Sequence, residues 1–117
     1  IDVVCREEDF AAICTILASY YQPAPIAANA QYATRHFARF SQSGQRDIEL
    51  MAGIAVRQSE QIISWQFHPE RCNWQNDICF MPASDWLELY TLFNRPQRVE
   101  ILRRYLAGLS CDTRLLE

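Results

Sequence analysis

The chain has 117 residues, half of them hydrophobic and 12% aromatic, with 14 acidic and 11 basic side chains and a formal net charge of −3. That length suits one domain with its own core, the composition excludes intrinsic disorder, and no apolar run approaches the roughly 18 residues of a membrane-spanning helix. Every basic residue is arginine, and a net-acidic chain is a poor match for a polyanion, because non-specific nucleic-acid affinity comes largely from cationic side chains that release counterions.

The chain opens on Ile1 rather than methionine, so residues 1–117 are read as a single domain that is a processed part or fragment of a longer protein. Ile1 to Cys5 is a short apolar run, either a strand or a lead-in. Glu7, Glu8 and Asp9 form the acid-rich first turn of a helix whose apolar face is Phe10, Ile13, Cys14, Leu17, Tyr20 and Tyr21, and Pro23 and Pro25 end it. A second helix is expected from about Ile26 to Phe40, with Ile26, Ala30, Ala33, Phe37 and Phe40 on one face. Ser41 to Gln45 is the clearest loop and a hinge between two halves.

From Asp47 to Phe67 the pattern is ambiguous between helix and strand. The reading adopted is a helix from Asp47 to about Ser59, then a short extended segment at Ile62 to Phe67, rich in strand formers. His68 to Asn73 is turn-like, and Ile78 to Met81 is a second short strand that pairs with the first. Ser84 caps the next helix, in which Trp86, Tyr90 and Phe93 recur at helical spacing. Asn94-Arg95-Pro96 stops it, and Pro96 suits the first position of another helix. Val99, Leu102, Leu106 and Leu109 form that helix's stripe, Gly108 ends it, and Ser110 begins a further helix through Leu115 and Leu116. The expected fold is therefore mainly α, in effect all-α: about five helices in one domain, with room for a two-stranded β ribbon near Trp65 and Phe80.

The run Pro96-Gln97-Arg98-Val99-Glu100-Ile101-Leu102, followed by Leu106, Gly108, Leu109, Ser110, Leu115 and Leu116, resembles the opening of winged helix-turn-helix regulators of the ArsR type. A looser similarity, to flagellar activators of the FlhD/FlhC kind, rests on Phe93, Glu100, Arg103, Arg104, Leu106 and Gly108. Both cover only the carboxyl-terminal fifth of the chain, which stops before any recognition helix or wing. The resemblance implies a regulatory or dimerisation domain of a bacterial-type transcription regulator, acting through protein contacts and a partial helix-turn-helix. Arg95, Arg98, Arg103 and Arg104 would then be the phosphate-contacting group.

Other chemistry is thinly represented. His68, Cys72 and Cys79 supply three zinc-type ligands without a C-x-x-C pair, so a site would need His36, Cys5, Cys14 or Cys111 brought in by folding. A cysteine nucleophile with His68 or His36 as base has nothing local to orient it. The expectation is no metal, no cofactor and no enzyme. Five cysteines are an odd number without a framework, which suits a reduced, cytoplasmic protein, with a Cys72–Cys79 disulfide open to it if exported. Trp65, Trp74 and Trp86 are either core residues or an aromatic patch for a partner. The second functional expectation follows from that patch: a non-enzymatic protein-binding module, such as a secretion chaperone, an immunity protein or an adaptor, or a homodimer.

Overall fold

Val3 and Val4 are β-branched and precede the acid-rich helix start. In the computed structural model of the chain, which describes the backbone of residues 1–116 and the side chains of residues 1–108, Asp2–Val4 is strand β1. Helix α1 is Glu7–Ala18, with its three acids in the first turn, where they face the positive end of the helix dipole. Arg6 sits just ahead of them and donates from Nε to Asp9 Oδ2 at 3.0 Å. The helix ends before either proline. Pro23 lies in β2, Gln22–Ala24, an edge strand, where a missing amide hydrogen is tolerated.

The mainly α expectation is overturned: the described residues form an α+β fold with eight strands and three α-helices. No helix occupies Ile26 to Phe40. Asn29 Oδ1 accepts the Gln31 amide at 2.9 Å, a local turn that competes with helix formation, and His36–Ser41 is β3. The helix expected from Asp47 to about Ser59 is instead β4, Ile48–Ala52, and β5, Ala55–Gln58. Ile48, Leu50, Met51 and Ala52 make an almost continuous apolar run. Such a run fits a strand buried on both faces as well as it fits a helix, and its partners decide between them. Here β4 pairs in parallel with β1 and antiparallel with β3, in a sheet ordered β1-β4-β3-β2.

Two compact units make up the chain, Ile1–Phe67 and His68–Glu117. In the first, α1 covers one face of the sheet: Phe10, Ile13, Cys14 and Leu17 pack on buried Cys5, Leu50 and Ala52. Ser41 to Gln45 lies in the β3–β4 hairpin, where the Gln45 amide donates to Gln42 O at 3.0 Å and Gly44 takes a φ of 78°. Strand β6, Gln61–Ser64, pairs with β5 across Ser59 and Glu60, both at positive φ. It does not pair with the Ile78 segment.

In the second unit a single 3₁₀ turn, Pro69–Arg71, leads into β7, Asn73–Gln75, which pairs with β8, Ile78–Phe80. Asn76 and Asp77 make the two-residue turn with φ of 50° and 64°, the geometry that matches strand twist. Helix α2 is Ala83–Leu92 and α3 is Pro96–Leu116. Between them Asn94 adopts φ 56°, the Asn94 amide donates to Thr91 O at 3.1 Å and the Arg95 amide to Tyr90 O at 3.0 Å. That is the double hydrogen bond of a left-handed helix cap, here built on asparagine. Ser84 lies inside α2, one residue after its first, and α3 continues through Gly108 and Ser110 without a break.

Candidate functional site

Asn-Asp is a favourable pair for a tight hairpin, and the strands it joins carry large apolar side chains. Register places Trp74 opposite Cys79, Gln75 opposite Ile78 and Asn73 opposite Phe80. Because side chains alternate along a strand, Ile78 and Phe80 share one face while Cys72, Trp74 and Cys79 share the other. Every residue from Asn73 to Phe80 is exposed. Trp74 is 73% exposed, Ile78 58% and Phe80 48%. The sheet has only two strands, so each presents an outer edge outside any ladder.

At the base of this ribbon, Arg71 Nη1 lies 3.4 Å from Oδ1 of Asp85, whose side chain is buried. Asp85 Oδ2 has no hydrogen-bond partner. His68 Nδ1 meets Glu70 Oε1 at 3.0 Å. The Glu70 carboxyl is held below its ordinary range, by its own backbone amide first and then by His68 and Arg71. Cys72 is pushed up by burial first, then by Cys79 and by the charges of Asp85 and Glu70. A nucleophilic cysteine needs the opposite, an environment that favours thiolate. His68, Cys72 and Cys79 are not assembled around a common point, and the described residues contain no group of three or more such side chains able to hold a metal ion.

The other histidine is also engaged. Its Nε2 is 3.5 Å from Glu7 Oε1, which also meets Arg35 Nε at 3.2 Å, and its ring lies 5.2 Å from that of Phe10. Cys5 is buried, and desolvation, aided by Asp9 and Cys14, raises its thiol to about 11. Burial raises Cys14 as well. An open groove of about 400 Å³ between α1 and the β2–β3 edge is lined mainly by apolar groups, including Ala18, Ile26, Phe37 and Phe40. Its one cation, Arg39, is spent on Asp47 Oδ2 at 2.7 Å.

The residues singled out in the sequence fall in different settings. Trp65 is buried in the first unit, where its amide donates to Ile54 O at 2.9 Å. Trp86 is half-buried and stacks on Tyr90 at 5.3 Å, and the Arg98 guanidinium lies over the same Tyr90 ring at 5.0 Å. Trp74 alone of the three is exposed. Arg95, Arg98, Arg103 and Arg104 are all exposed on or beside the start of α3, and Arg104 Nε pairs with Glu100 Oε1 at 3.0 Å. The side chains of Ser110, Cys111, Leu115 and Leu116 lie outside the described residues. Ile78 and Phe80 went unnoticed as surface groups, although strand formers flanking Asn76-Asp77 are a hairpin signal. No family model, curated protein or solved structure matches this chain.

Proposed function

We propose that this chain is a non-enzymatic protein-binding module whose contact surface is the β7–β8 ribbon, and that its partner presents an extended apolar segment. The observation that carries this reading is the exposure of Trp74, Ile78 and Phe80 on a two-stranded ribbon with open edges. Leaving such side chains in water forgoes roughly 1.5–3 kcal/mol each relative to burial. An added strand would supply main-chain hydrogen bonds along an edge, and the alternating side chains would supply specificity. The raised thiols and the engaged histidines point the same way, since none forms an activated nucleophile with a base.

A regulator that works through protein contacts is compatible with this surface, whereas a phosphate-contacting role would fall to Arg95, Arg98, Arg103 and Arg104. Of these, Arg98 lies on Tyr90 and Arg104 pairs with Glu100. The reading places the protein in the cytoplasm, where thiols are kept largely reduced, and Cys5, Cys14, Cys72 and Cys79 are free thiols here. No helix among the described residues is long and apolar enough to cross a membrane.

The test is co-purification from the native host with a Trp74→Ala/Phe80→Ser double variant alongside. The expected result is a stoichiometric protein retained by the wild-type chain and lost by the variant, with unchanged circular dichroism. A shift of duplex DNA that disappears in Arg103→Ala/Arg104→Ala, with no protein retained, would replace this reading by the DNA-binding one.

A further inference from the structure

Two of the exposed ribbon's features are unused by partner binding: the cysteines at 72 and 79. Register puts Trp74 opposite Cys79, so Cys72, two residues before Trp74, is the diagonal neighbour of Cys79 on one face. Diagonal positions of an antiparallel pair lie roughly 7–8 Å apart, and less between β-carbons, and the Cys72 thiol is close enough to Cys79 to be influenced by it. The two differ in setting. Cys79 is exposed, whereas Cys72 is half-buried at the ribbon's base, beside Glu70 and Asp85.

We infer that Cys72 and Cys79 form a reversible dithiol site that is oxidised to an intra-hairpin disulfide by exchange with a low-molecular-weight disulfide of the glutathione type. Cys79 attacks first, because the exchanging disulfide reaches an exposed sulfur and because burial, with Cys79, Asp85 and Glu70 adding to it, favours the protonated Cys72 thiol. The Cys79 thiol loses its proton to solvent, and its sulfur bonds to one sulfur of glutathione disulfide. One glutathione thiolate leaves and takes up a proton. Cys72 then loses its proton and attacks the Cys79 sulfur, expelling the second glutathione. Two protein thiols are oxidised and one glutathione disulfide is reduced to two thiols. The product closes the hairpin covalently across Asn76-Asp77 while leaving Ile78 and Phe80 exposed on the opposite face. This inference rests on the hairpin's geometry and the different settings of its two thiols, and stands or falls independently of any partner.

Non-reducing peptide mapping of the whole chain after incubation in a glutathione redox buffer tests it. Both cysteines fall in the tryptic peptide 72–98, since Arg71 precedes it and Arg95 is followed by proline. The wild-type chain is expected to yield that peptide two hydrogens lighter, and Cys72→Ser is expected to accumulate a stable glutathione adduct on Cys79. Cys79→Ser should take up at least tenfold less glutathione in this peptide than Cys72→Ser. Cross-links from Cys72 or Cys79 to any other cysteine would overturn the inference. So would a wild-type chain that stops at the Cys79 adduct, or a Cys79→Ser variant modified as fast as Cys72→Ser.

Discussion

Cys5 and Cys79 carry the same functional group in opposite surroundings, one buried under α1 and one exposed on the ribbon. Raising the Cys5 thiol from 9.0 to about 11 cuts its thiolate fraction at pH 8 by about a hundredfold, at one decade per unit. Alkylation by iodoacetamide at pH 8, followed by mass spectrometry, should therefore label Cys79 early and Cys5 last. The same shift links Cys5 to stability. The folded thiol holds its proton more tightly than the unfolded one, so its contribution is complete below about pH 9 and is lost as pH rises through about 11. A wild-type chain should lose stability to urea across that interval more steeply than Cys5→Ala. Asp85 presents the other buried ionisable group. Its only described ion-pair partner is Arg71 at 3.4 Å, and its second oxygen has no hydrogen-bond partner. Arg71→Ala should cost about 1–3 kcal/mol in chemical denaturation, because it leaves a buried carboxylate without its cation.

At the scale of elements, the three glycines separate three effects. Gly53 turns the chain between β4 and β5 with φ 61°, and a β-carbon there would overlap Glu7 Oε1 and sit 3.2 Å from the Arg35 β-carbon. Gly53→Ala should therefore cost about 1–3 kcal/mol and loosen the start of α1 as well. Gly44 has a φ of 78° in the β3–β4 turn but open space around it, so the same substitution costs only the backbone term of about 1–2 kcal/mol. Gly108 lies within α3, and a β-carbon there would meet open space, so Gly108→Ala should stabilise by about 0.5–1 kcal/mol. Thermal melts of the three variants check the order. Glycine is permitted at a helix cap but does not compel one, so α3 continues past Gly108 where a helix end was expected. By contrast Asn94 and Pro96 act through their own backbone chemistry, so the break between α2 and α3 was legible from these residues. The Asn76-Asp77 turn is equally local: it pairs Ile78 to Phe80 with Asn73 to Gln75 rather than with the segment from Ile62 to Phe67, because a two-residue turn closes the shorter loop.

For the molecule as a whole, acidic side chains outnumber arginines by 14 to 11. At physiological ionic strength, about 0.15 M, the chain is expected to leave a random DNA duplex unshifted in a gel assay. α1, α2 and the start of α3 were legible from sequence alone, because helix starts, proline breaks and 3.6-residue spacing are set by neighbours a few positions apart. The sheet was not informative in that way. β4 takes its hydrogen bonds from β1, 47 residues earlier by the Val3–Leu50 pairing, and from β3 across a hairpin. Alanines and phenylalanines at helical intervals between Ile26 and Phe40 satisfied a helix template with equal ease. The chain alone therefore determined the starts of α1, α2 and α3, while it also offered helix patterns from Ile26 and Asp47 that the fold does not use. Only the tertiary structure decided that residues 36–58 are strands and that Trp65 is buried while Trp74 is exposed. The physical reason is that a strand's stability lies in hydrogen bonds to distant segments, whereas a helix carries its own.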